Sequence, residues 1–138
     1  MKKCVTVVLT LILWSCGQQV KPTDLAKVNG YWEIEKVTLP DGTEKEYTIS
    51  EIIDRFELKN SKGFRQKVRP QFDGTYISAG GPEKIESAFE NRHAFLKYTT
   101  DYASWKEEVV EISPEKLVLK NEQDVEYHYK KFIPIDVK

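Results

Sequence analysis

Turn-forming residues break the chain at short, nearly regular intervals, and this spacing restricts the fold more than any other feature. Pro40-Asp41-Gly42, Asn60-Ser61-Lys62-Gly63, Asp73-Gly74, Gly80-Gly81-Pro82, Ser113-Pro114 and Asn121-Glu122-Gln123-Asp124 bring Gly, Pro, Asn and Asp to points where the backbone must reverse. The segments between them suit strands better than helices. From residue 16 to 138 the chain holds 40 Val, Ile, Thr, Tyr, Phe and Trp against 11 Ala, Leu and Met, and branched and aromatic side chains fit a pleated surface. Strands are expected near 30–39, 44–48, 52–58, 64–72, 75–79, 84–90, 94–100, 105–112, 116–121 and 125–132. Ile49 to Asp54 also suits one turn of helix with Ser50 as its cap. There is no βαβ alternation, internal repeat or low-complexity tract. The expectation is one all-β domain, an antiparallel up-and-down meander of eight to ten short strands with little helix. Its edges must be hidden, by closing into a barrel or by packing as a sandwich.

The N-terminus follows a different pattern. Lys2 and Lys3 precede a ten-residue apolar run, Val5 to Trp14. As helix that run covers about 15 Å, half of a bilayer core, so it suits a secretory signal rather than a membrane span. It ends in Leu13-Trp14-Ser15-Cys16, which resembles the bacterial lipoprotein signal. There an aliphatic residue stands three before the cysteine and a small one immediately before it. The resemblance implies cleavage before Cys16, a diacylglycerol on its thiol and acylation of the new N-terminus, so that the membrane becomes a partner through lipid. Cys4 would leave with the signal peptide. The expected organisation is a signal peptide over 1–15, lipidated Cys16 and a linker over 16–27, a barrel over 28–133 and a tail over 134–138. Gly17, Gln18 and Gln19 carry neither an Asp after the cysteine nor an acidic cluster. The lipoprotein resemblance therefore implies the outer membrane, facing the periplasm. Residues 16–138 carry 19 basic and 22 acidic side chains and no cysteine free to form a disulfide, so stability must come from the core.

Gly30-Tyr31-Trp32 favours the barrel. It resembles the lipocalin G-x-W signature, whose tryptophan plugs the closed end, and Trp32 takes that role by resemblance. Leu39-Pro40-Asp41-Gly42, Phe72-Asp73-Gly74-Thr75-Tyr76, Trp105-Lys106-Glu107-Glu108-Val109, Leu117-Val118-Leu119-Lys120 and the closing strand Glu126 to Phe132 follow in the order of small lipocalin-like lipoproteins of Gram-negative bacteria. The resemblance spans roughly residues 26–133 and implies a fold and a location rather than a reaction. Ile133-Pro134-Ile135-Asp136 cannot extend a helix through Pro134. The helix that packs on classical lipocalin barrels has no counterpart here, and classical ligand residues are not carried over.

Candidate ligand-binding residues come from alternation. A period of two puts Arg65, Lys67 and Arg69 on one strand face and Phe64 and Val68 on the other. Three like charges about 7 Å apart either receive an anionic head group or form a solvated face balanced by acids such as Glu57, Asp73 and Glu107. Tyr127 and Tyr129 alternate with charged residues and are expected inward, as is Tyr98. They either pack the core or line a wet pocket. Trp105, beside the Asp101–Ser104 loop, is either core or a lid.

No enzyme is expected. His93 and His128 have no metal-ligand spacing, and there is no nucleophile elbow or phosphate loop. No metal or cofactor is expected either. A net charge of −1 argues against a nucleic-acid partner. Two functions remain open. One is a barrel that takes a small amphipathic or apolar molecule. The other is a filled barrel whose surface engages an envelope protein.

Overall fold

The computed structural model describes residues 19–134. The expected signal peptide, Cys16 and residues 135–138 of the expected tail lie outside the described residues.

Ten strands form one antiparallel sheet: β1 (Gly30–Thr38), β2 (Glu44–Glu46), β3 (Ile53–Lys59), β4 (Lys62–Pro70), β5 (Tyr76–Ser78), β6 (Glu83–Glu90), β7 (His93–Thr99), β8 (Ser104–Ile112), β9 (Lys116–Asn121) and β10 (Glu126–Lys131). Eight of them close on themselves in the order β10-β9-β8-β7-β6-β4-β3-β1, with β1 returning to β10. Closure removes the free edges of the wall.

The wall departs from the expected meander at two places. β4 pairs with β6 rather than with β5 alone, and β1 pairs with β3 while β2 stands beside it. β2 is the exposed triplet Glu44-Lys45-Glu46 and has no face to bury, while β5 is equally short. Each folds back against its own hairpin partner and leaves the barrel to the longer strands. Bulges in β1, between Ile34 and Lys36, and in β8, between Val109 and Glu111, bend the wall so that it can close.

The two ends differ. The β3–β4 and β6–β7 turns are two residues long, with Asn60, Ser61, Asn91 and Arg92 all at positive φ, the geometry that matches the twist of a hairpin. Beneath them the 3-10 helix Pro22–Val28 crosses the barrel. Its Leu25 and Val28 are buried, three residues apart and therefore on one face. With Val20 they join Trp32, Phe56, Val109 and Leu117 in the core. Much of the segment expected as linker is thus part of the domain. Trp32 is fully enclosed, and its indole donates to the Val28 carbonyl at 2.8 Å, which places it over the 3-10 helix that closes this end. At the other end the connections are longer, and the lumen opens among the 100–103 and 122–125 loops.

Candidate functional site in the mouth of the barrel

The apolar core stops part-way up the lumen, where the inward positions turn polar. β4 contributes Arg65 and Lys67, β3 Asp54, β6 Glu83, β7 Tyr98, β8 Trp105 and Glu107, and β10 Tyr127 and Tyr129. Arg65 organises this layer. Its Nη2 and Nε lie 2.6 and 2.8 Å from Glu83 Oε2, and its Nη1 reaches Glu107 Oε1 across the lumen at 3.3 Å. The guanidinium rests on the Tyr98 ring at 4.4 Å, and that ring stacks on Trp105 at 5.3 Å. Lys67 reaches back to the buried Asp54 at 3.1 Å, its own side chain 53% exposed.

Burial shapes the electrostatics. Desolvation pushes the Glu107 carboxyl above its ordinary value, with Arg65 and Tyr98 opposing the shift. Burial alone would lower the affinity of Arg65 for its proton. The facing Tyr98, Glu107, Tyr129 and Asp54 outweigh it and keep the guanidinium charged. Burial also raises Tyr98 and Tyr129, which remain neutral phenols. Among the described residues the Tyr98 hydroxyl, enclosed beside Glu107, has no partner in full hydrogen-bonding geometry.

Above this floor lies a cup of about 480 Å³, open to solvent and lined by Lys67, Trp105, Glu107, Asn121, Gln123, Tyr127 and Tyr129 among others. Asn121 donates to the Tyr127 hydroxyl at 3.5 Å. The cup offers donors and acceptors around an aromatic wall rather than a greasy tunnel. It is within the size range of small-molecule sites. Among the described residues no three His, Cys, Asp or Glu side chains converge as a metal site.

The sequence matches the lipocalin-like domain family over residues 28–119. The chain belongs to that family. Solved structures similar to it include a lipocalin-like protein from Bacteroides uniformis, at 12% identity and a TM-score of 0.48, covering 77% of this chain and 99% of that one. Apocrustacyanin C2 is similar at 11% identity and a TM-score of 0.50, covering 84% of this chain and 67% of that one. The likeness to apocrustacyanin C2 concerns the fold alone. No curated protein matches the sequence.

In this lipocalin-like domain the expected site residues divide. Trp32 is at the closed end, far along the strand from the mouth. Arg65, Lys67, Trp105, Tyr127 and Tyr129 meet at the cup, and Tyr98 lies beneath it as part of the floor. Arg69 stands apart. It lines a separate groove of about 970 Å³ on the outside of the wall, with Ile49, Phe72, Tyr76, Phe132 and Ile133. There Tyr76 stacks on Tyr31 at 4.1 Å. Of the three acids weighed as balance for the basic strand, Glu107 faces Arg65. Glu57 pairs instead with Arg55 and Asp73 closes its own turn onto Thr75. Asp54 and Glu83 carry no sign of the site in the sequence, and Asn121 and Gln123 read there only as turn residues. Glu107 was legible: Trp105, Glu107 and Val109 alternate, and the outer two are plainly inward residues.

Proposed function

We propose that the domain is a lipid-anchored periplasmic binding protein whose cup takes one small amphipathic molecule carrying a flat ring. The supporting observation is the charged floor itself. Arg65 is already satisfied by Glu83 and Glu107, so the floor closes off the apolar core and leaves a shallow polar site above it. A flat ring would lie against Trp105 and Tyr127, and polar substituents would meet Lys67, Asn121 and Gln123. A long apolar chain has no tunnel to enter, because the lumen below is filled by Leu96, Leu119, Ile85 and Phe56.

Native mass spectrometry of the protein purified without its lipid tests the site. A retained mass that is lost in Lys67→Glu supports the reading. Empty protein whose melting temperature no member of a small-molecule panel shifts would count against it. The anchor is tested separately. Cys16→Ser should leave the protein soluble in the periplasm and unlabelled by radioactive palmitate, and a labelled, membrane-bound variant refutes it.

A second reading, an interaction module for another envelope protein, draws on the outer groove. Phe72 is 89% exposed there, beside the exposed Ile49 and Ile133, and an exposed apolar patch of this kind marks contact sites. Crosslinking in cells through a photoreactive residue at position 72 decides it. Absence of a reproducible adduct would sink it.

A further inference from the structure

Among the described residues the two ends of the barrel differ in which charges stand without an ion-pair partner, and the N-terminal segment joins at the end with the unpaired cations. The β3–β4 turn brings exposed Lys59 and Lys62 to the closed end, the β6–β7 turn brings exposed Arg92, and exposed Lys21 leads into the 3-10 helix. None of these four forms an ion pair among the described residues, whose neighbouring pairs use other cations. The acids at this end are Asp24, Glu90 and Glu111, held by Lys27, Lys97 and Lys116 at 2.9, 2.7 and 3.6 Å, together with exposed Glu115 and Glu86, the latter across from Lys62. The 100–103 and 122–125 loops at the opposite end carry exposed Asp101, Glu122 and Asp124.

Gln19 donates to the Arg92 carbonyl at 2.7 Å, which fixes the start of the described chain beside the basic turns. Cys16 precedes the buried Val20 by four residues, so a lipid on Cys16 lies within about 14 Å of Val20 even with the chain fully extended. That is shorter than the barrel is tall, since β1 alone, about 30 Å long, rises about 23 Å along the axis at the strand tilt usual for barrels.

We propose that the closed end is the membrane-facing surface of the domain, resting its basic turns on anionic lipid headgroups, with the mouth of the cup directed away from the bilayer. The tether in this argument rests on the lipoprotein reading above; the charge asymmetry does not. Cations near an anionic leaflet are drawn to it and the acidic rim is repelled. A ligand then exchanges with the aqueous phase and not directly with the bilayer.

Two measurements test this orientation. In the first, a fluorophore is placed on Glu115→Cys at the closed end or on Asp101→Cys at the mouth. Each substitution removes one acid, so their charges match. The labelled proteins are bound to vesicles of phosphatidylethanolamine and phosphatidylglycerol that carry a lipid-attached quencher. The dye at position 115 should be quenched several-fold more strongly than the dye at 101, and equal or reversed quenching overturns the proposal. In the second, lipid-free Cys16→Ser protein is sedimented with the same vesicles at low salt. Lys59→Glu with Lys62→Glu should weaken binding by about tenfold, as should raising the salt to a short screening length. Absent binding, or binding indifferent to the charge reversal in a variant that melts like its parent, overturns the proposal. Failure of palmitate labelling would retract the anchor and leave the vesicle result standing.

Discussion

Arg65 on β4 and Glu107 on β8 meet inside the barrel, Nη1 to Oε1 at 3.3 Å, although β6 and β7 separate their strands in the sheet. The same guanidinium holds Glu83 of β6 at 2.6 Å and covers Tyr98 of β7 at 4.4 Å. One side chain therefore ties together four consecutive strands of the wall. An eight-stranded barrel is just wide enough for such a contact to span it. The contact also sets the depth of the cup, since everything above it is solvent and everything below is packed core.

A buried ion pair adds little compared with an apolar replacement, but breaking it leaves an uncompensated charge. Arg65→Ala leaves Glu83 and Glu107 without the one cation that pairs with them among the described residues, and should cost about 3–5 kcal/mol in urea unfolding. Arg65→Met combined with Glu107→Met should cost less than the two single changes added together, with a coupling of about 1–3 kcal/mol. Additive losses would show that the contact across the lumen is geometry without energetic consequence.

The same site makes stability depend on pH. Burial raises the folded-state pKa of Glu107 above its ordinary value of 4.5, so the folded protein keeps that proton longer than the unfolded chain does. The contribution is fully present below the unfolded value and is lost as pH rises through the raised one. Glu107→Gln fixes the neutral form. Its melting temperature should match that of the parent in mild acid and exceed it increasingly toward neutral pH. A constant difference across that window would mean that Glu107 does not titrate as burial dictates.

The strand pattern was legible because alternation and turn residues are local properties. The observed strands β1, β3 and β6 to β10 begin and end close to the turn signals that bound them. Partner choice was not legible. Nothing in Glu44-Lys45-Glu46 or in Tyr76-Ile77-Ser78 says that the chain will pass over them to pair β1 with β3 and β4 with β6. The Pro22–Val28 helix was hidden for another reason. Seven residues with only two large apolar ones are marginal as an isolated helix, and its order comes from Leu25 and Val28 filling the closed end of the barrel. The basic strand was ambiguous because its sign of charge suggests solvent. Only Glu83, Glu107 and Asp54, each on a different strand, make an inward face tolerable for Arg65 and Lys67, and strand alternation alone does not bring those acids together.

The closed end depends on a glycine. Gly30 adopts φ +124°, and a Cβ there would collide with Lys131 Nζ. That amine donates to the Asn29 carbonyl at 2.7 Å and lies over the Trp32 ring at 4.6 Å. Gly30→Ala should therefore destabilise the domain by about 1–3 kcal/mol through backbone strain alone. Gly80→Ala, where a Cβ meets open space, should be nearly neutral in the same urea titration. Equal effects at the two positions would remove the argument that G-x-W needs its glycine for geometry.

The tryptophans offer an optical test of where the lumen opens. Within residues 16–138 the only two are Trp32 and Trp105. Trp32 is wholly enclosed beneath the core, while Trp105 lies partly exposed on the cup wall, stacked on Tyr98. Acrylamide added to the processed protein should quench emission from Trp105 and spare Trp32. The accessible component should vanish in Trp105→Phe and persist in Trp32→Phe. Trp32→Phe also removes the indole donor from the Val28 carbonyl, at a cost of about 1–3 kcal/mol, so that variant should be read well below its own melting transition. A molecule seated against Trp105 would shield the accessible component in proportion to occupancy, which makes quenching a direct titration of the cup. Quenching confined to Trp32 would place the opening at the wrong end of the barrel.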